Sequence, residues 1–197
     1  METNISANPA IYGSGLECFR KRLGDSKCYL EYGSGGSTIY AANIAKVPSI
    51  ISIETDKSWN SKVKSQIESN SQKLFLEHCD LGEVGEWGTP KNINKMSDFW
   101  KYSFKPWDIA LQNSLIPDTI LIDGRFRVST FLTSLMYSCE GSIFMFDDYF
   151  PRPQYFIVEK FCSLYEKHDG MAVFISEKKY IHTEITRTIA EYSVQWS

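Results

Sequence analysis

The stretch that decides the fold runs from Tyr29 to Thr38 and reads "YLEYGSGGST". A short apolar run carrying a glutamate gives way to three glycines (Gly33, Gly35, Gly36) and three small hydroxyl residues (Ser34, Ser37, Thr38). Glycines behind a strand let the backbone turn sharply and approach a ligand with no Cβ in the way. Ser37 or Thr38 is then placed to cap a helix starting near Ile39. A strand-to-helix turn with no ligand is the plain alternative, and the flanking sequence decides between them.

Apolar, β-rich runs recur along the chain: "CYLEY" (28 to 32), "SIISIE" (49 to 54), "LFLEHC" (74 to 79), "TILID" (119 to 123), "SIFMFD" (142 to 147) and "MAVFIS" (171 to 176). Several are apolar almost throughout, as strands covered on both faces are. Helical spacing fills the gaps. Leu16, Phe19 and Leu23 mark an opening helix over 14 to 23; Trp59, Val63 and Ile67 follow the second run; Val128, Phe131, Leu135 and Cys139 follow the fourth. Phe156, Ile157, Phe161, Leu164 and Tyr165 predict a further helix after the fifth. The tail, "HTEITRTIAEYSV", alternates and predicts a last strand, antiparallel at an edge.

This alternation predicts a single α/β domain over 1 to 197, with a mostly parallel central sheet and helices on both faces. Residues 81 to 107 interrupt it with glycine and proline signals and three tryptophans. That length exceeds an ordinary connection, so the segment is either a lid over a ligand or a cap completing the core.

Composition bounds the partners. Hydrophobic residues make up 43% and charged residues 23% of 197, ordinary values for a globular protein. A formal charge of −3 gives no basic field, so nucleic acid is not expected. No apolar stretch approaches the roughly 20 residues that span a bilayer. The start, "METNISANPAIYG", has neither a basic opening nor a long apolar centre, so a cytoplasmic location is expected. Five scattered cysteines without a Cys-x-x-Cys pair suit reduced thiols rather than a zinc site.

In an open parallel sheet, ligands collect beyond the carboxyl ends of the strands. The second strand ends at Glu54, twenty-one residues after Gly33, where a carboxylate can accept from both hydroxyls of a ribose. Capping the next helix is its bland alternative. The third strand ends near Asp80, placed to meet an adenine amino group. Three successive strands thus end in groups suited to an adenosine.

A nicotinamide-binding fold uses a similar glycine pattern, but its third glycine position is Thr38 here, and Glu31 sits two residues before the first glycine. The arrangement E-x-G-x-G-G-S resembles motif I of the class I S-adenosylmethionine-dependent methyltransferases, over about residues 24 to 176. An acid near the loop suits a ligand carrying a sulfonium and an ammonium. The resemblance implies that Glu31, Gly33, Ser34, Gly35, Gly36 and Ser37 face the methionyl part, Glu54 the ribose and Asp80 the adenine. Asp123 joins them at the end of the fourth strand.

"TILIDGRFRVST" and "SIFMFDDY" together look like the macrolide-sugar O-methyltransferases related to macrocin methyltransferase. That likeness implies a divalent cation such as Mg²⁺ on Asp123, Asp147 and Asp148. The sequence departs from the group at Arg125, where an acid is usual. Two carboxylates about 4 Å apart repel by roughly 4 kcal/mol at an effective dielectric near 20. Compensation comes either from a metal or from Arg125 and Arg127 through forked ion pairs; a third possibility is that the acids form no special cluster. Arg125, Arg127 and Arg152 could instead receive an anionic acceptor. The candidate catalytic residues are Asp123, Asp147 and Arg125, one aspartate serving to deprotonate or orient the acceptor. The expected activity is methyl transfer to an oxygen or nitrogen of a small molecule or glycan. The alternatives are an inactive relative acting as a binding or scaffolding protein, and an NAD-dependent oxidoreductase.

Overall fold

A computed structural model describes residues 5–68 and 72–196. Five strands, β1 (Cys28–Tyr32), β2 (Ser49–Glu54), β3 (Lys73–His78), β4 (Thr119–Ile122) and β5 (Ile143–Phe146), are parallel. A hairpin, β6 (Leu164–His168) and β7 (Met171–Ile175), closes one side, with β7 antiparallel to β5. The sheet order is β3-β2-β1-β4-β5-β7-β6. The chain starts at the middle of this sheet, works to one edge and then crosses to the other. The crossover opens a crevice above the ends of β1 and β4, where such sheets bind ligands.

Successive residues of each strand face opposite sides, and each side has its own core. Leu30, Tyr32, Ile51, Ile53, Ile120 and Ile122 pack under α4 (Trp100–Gln112), α5 (Arg127–Tyr137) and α6 (His182–Tyr192). Tyr29, Ile50, Leu121, Met145 and Val173 pack under α1 (Ser14–Asp25) and the segment after β1. That segment is a short helix, α2 (Gly36–Ile39), running on as a wider turn of five residues, Tyr40–Ile44. It therefore starts three residues earlier than the capping pattern predicts. A third small cluster seats α3 (Lys57–Ser65) on the sheet through Val63 and Leu76.

Three expectations are corrected. The predicted helix after β5 is instead a run of 3₁₀ turns, Pro153–Lys160, followed by β6. The signal for the hairpin was Asp169–Gly170 directly before β7, with Asp169 at φ 47°. The Asp169 carboxylate also accepts from the Ser14 amide and hydroxyl, both at 2.7 Å, and so ties the hairpin to α1. The tail is not a strand: it forms α6, because Ile185 and Ile189, one helical turn apart, bury against the α5 side of the core. The segment 81 to 107 is irregular only to about residue 99; α4 begins inside it and carries Pro106 in its interior. Trp107 explains why this helix persists. Its indole donates to the Tyr32 hydroxyl (3.1 Å) and to Ser134 Oγ (3.0 Å), both buried under α4.

Candidate functional site

A cavity of about 900 Å³ opens at the carboxyl ends of the parallel strands. The glycine loop, Glu54, Asp123, Arg125, Asp147 and Asp148 all line it. Gly33, at φ 91°, makes the turn out of β1, and a Cβ there would press to 3.1 Å from Gly124 Cα. Gly35 is different. A Cβ on it would meet nothing within 4 Å, so its bare backbone faces open space where a ligand can approach.

Glu31 does not line the cavity, contrary to the expectation that it meets the methionyl part. It is fully buried beneath the loop and on the same sheet face as Ser52, its register partner on β2. The hydroxyls of Tyr29 (2.8 Å), Ser37 (2.7 Å) and Thr38 all donate to it. Burial pushes its carboxyl up to about 7, while those hydroxyls pull the other way. Thr38 Oγ1 in turn accepts from the Gly35 amide at 2.9 Å. Glu31 thus fixes the loop from below.

Glu54 does open onto the cavity. Its Oε2 accepts from the Ser34 amide (3.1 Å), and its Oε1 accepts from the amides of Thr55 (2.6 Å) and Asp56 (2.9 Å). Burial raises its pKa, against which the amide donors act. It does not cap α3; Asp56 does, accepting from the Trp59 amide at 3.0 Å. Asp80 is not brought in. It lies outside the residues lining the cavity, and its exposed carboxylate pairs with Lys95 beyond the end of β3. The tertiary fold adds residues that sequence reasoning missed. The chain at Pro9 to Ile11 and the Tyr102 ring line the cavity, as does Trp87 from the segment flagged as cap or lid. That segment divides: Trp87 stands exposed at the mouth, whereas Trp107 is core.

At the other end, Asp123, Asp147 and Asp148 surround a guanidinium. Arg127 is 4% exposed and uses all five of its N–H donors. Its Nε donates to Gly124 O (3.0 Å); one terminal nitrogen donates to Asp123 O and Oδ1 (both 3.0 Å); the other donates to Asp147 O (2.5 Å) and weakly to Asp148 Oδ2 (3.5 Å). Asp148, at φ 54°, turns back just after β5 ends and is held by Arg152 at 2.9 Å. Ligand oxygens from the three acids do not converge within 4.8 Å of one another. The residues present therefore do not fit the metal site that the macrocin-type resemblance implies. A cation is already built in, and its planar fork spreads the acids apart. Asp147 is left in a distinct state. The residue is 6% exposed on the cavity wall, and burial, then the charges of Asp123 and Asp148, push its carboxyl up to about 7.

No protein-family model and no curated protein matches the sequence. Solved structures do. A methyltransferase-like protein from Silicibacter pomeroyi DSS-3 is 27% identical over 91% of this chain and 93% of its own, with a TM-score of 0.82. An O-methyltransferase from Bacillus cereus in complex with S-adenosylhomocysteine is 14% identical over 86% and 84%, with a TM-score of 0.53. Cofactor-bound Rv0187 from MTB is 11% identical over 87% and 84%, also at 0.53. With its strand order and glycine loop, the chain has the Rossmann-like fold of these methyltransferase structures. Among the described residues, no helix is long and apolar enough to cross a membrane.

Proposed function

We propose that the protein transfers a methyl group from S-adenosylmethionine to an oxygen or nitrogen of a small-molecule or glycan acceptor. One observation carries this reading: a single cavity joins the open face of Gly35 and the Glu54 carboxylate at one end to the Asp147 carboxyl at the other. The cofactor supplies a methyl group on a cationic sulfur, which leaves as a neutral thioether. Glu54 accepts from the ribose hydroxyls through the lone pairs its amide donors leave free. The acidic wall offsets the ligand's positive charges. Asp147 takes the proton of the acceptor hydroxyl or amine as the new bond to carbon forms. Holding nucleophile, methyl carbon and sulfur in line can contribute up to about 7–11 kcal/mol in favourable systems.

Calorimetry with S-adenosylhomocysteine tests it. Wild type is expected to bind, and Glu54→Ala to bind about 10- to 100-fold more weakly, since a hydrogen bond to a charged group is worth roughly 1.5–3 kcal/mol. Asp80→Ala, which alters an exposed ion pair with Lys95 and a turn hydrogen bond from the Gly82 amide outside the cavity, serves as the control and should change affinity less than about twofold. Absence of binding in wild type ends the proposal. Binding without turnover on any acceptor favours an inactive relative, and a melting shift with NAD instead favours an oxidoreductase.

A further inference from the structure

Three arginines reach the Asp147 end of the cavity, and two are committed. Arg127 has every donor engaged, and Arg152 donates to Asp148 Oδ2 (2.9 Å) and to the Tyr155 hydroxyl (3.1 Å). Arg125 is the exception. It lines the cavity, yet among the described residues no hydrogen bond or ion pair reaches its guanidinium, and its Nε is buried with no partner. Phe126, at φ 54°, separates the two neighbouring arginines, so Arg127 enters the acid cluster while Arg125 does not. Native proteins rarely leave a buried donor of a charged group unmatched; water, an ion or a ligand completes it, and a donor facing a cavity is placed for a ligand.

We propose that Arg125 is the receptor for an oxyanion, a carboxylate or phosphate, carried by the methyl acceptor. The inference rests on the methyltransferase reading for the word acceptor, and names the class of acceptor: an acid bearing a hydroxyl or amine that Asp147 can reach. A guanidinium with free donors pairs with carboxylate and phosphate through two parallel hydrogen bonds. Burial and the nearby Arg127 charge already press against its protonated form, so an incoming anion relieves both. The methionyl carboxylate of the cofactor offers the same chemistry. Placement favours the acceptor. Arg125 feels Arg127, Tyr102, Tyr155 and Asp123, of which Arg127 and Asp123 belong to the acid cluster, whereas Gly35 and Glu54 mark the adenosyl end.

The test uses malonate and inorganic phosphate as probes, titrated calorimetrically into wild type, Arg125→Met and Arg125→Lys, with and without saturating S-adenosylhomocysteine. Melting curves confirm that each variant folds. At least one probe is expected to bind wild type, about 10-fold or more weakly to Arg125→Met, and in between to Arg125→Lys. Saturating S-adenosylhomocysteine should leave probe affinity within about threefold. The proposal is overturned if neither probe binds wild type, or if both Arg125 variants bind as wild type does. It is also overturned if Arg125→Met weakens S-adenosylhomocysteine but not 5′-methylthioadenosine, which lacks the carboxylate; Arg125 would then hold the cofactor's tail. Because the probes need no cofactor, and cofactor binding to wild type needs no probe, failure here is separable from failure of the methyltransferase reading.

Discussion

The acids at and beneath the glycine-loop end of the cavity and those at its other end are stabilised by different chemistry. Around Glu31 and Glu54 the donors are neutral: hydroxyls from Tyr29, Ser37 and Thr38, and amides from Ser34, Thr55 and Asp56. Around Asp123 and Asp148 the donors are guanidinium groups. Neutral donors satisfy a carboxylate without cancelling its charge, as they do beneath the loop at Glu31 and on the cavity wall at Glu54. Guanidinium groups cancel charge, so the other end holds Asp123 and Asp148 as scaffold around Arg127 and leaves the Asp147 carboxyl outside the ion pairs. The difference teaches that a cluster of acids has no fixed meaning until its compensating donors are known.

The largest expected effect comes from removing the built-in cation. Arg127→Ala leaves Asp123 and Asp148 facing each other without it, and should lower stability by about 3–5 kcal/mol in urea unfolding. Added Mg²⁺ should not restore it, and chelation should leave wild-type turnover unchanged. Restoration by the metal would break the contrast between the two ends.

Next in size is Asp147→Asn, expected to lower kcat by about 10²–10⁴-fold. Asp147 acts as a base only when ionised, so wild-type kcat/KM should rise with pH and level off above about 7. A flat profile would return Asp147 to the scaffold.

The smallest effect sharpens the loop end. Glu31 titrates higher in the folded chain, near 7, than the usual value of 4.5. Its protonated form therefore adds stability below about pH 4.5, and that contribution is lost as pH rises toward 7. Across this window the loss is on the order of 2 kcal/mol. Glu31→Gln should flatten the corresponding slope in melting temperature; an unaltered slope would mean that Glu31 is ionised throughout.

Much of this was legible along the chain, for a definable reason. β1 and β2 span the residues read as strands, and β3, β4, β5 and β7 differ by a residue at one or both ends. Strands covered on both faces are continuous apolar runs, a signal needing no partner to interpret. β6 is an exposed edge strand without such a run, and its apolar residues were absorbed into a false helical pattern. α6 is rich in threonine and isoleucine, which favour strands locally; packing of Ile185 and Ile189 overrides that preference. Glu54 was legible because it ends a strand. Glu31 was recognisable as belonging to the loop, but whether it lies above or beneath it depends on strand parity and on Ser52 across β2. Asp80 also follows a strand, yet it turns outward to Lys95.

Residue order alone determined the alternation of strand and helix, the bend after β1 and the acids waiting at the strand ends, because each follows from local backbone preference and apolar spacing. Only the folded chain decided which acids touch the cavity, and that Arg127 rather than a metal joins the carboxylates of Asp123 and Asp148. Charge compensation joins residues far apart in the chain, such as Arg127 with Asp148, 21 positions on, and distance in space is the one quantity a linear reading does not contain.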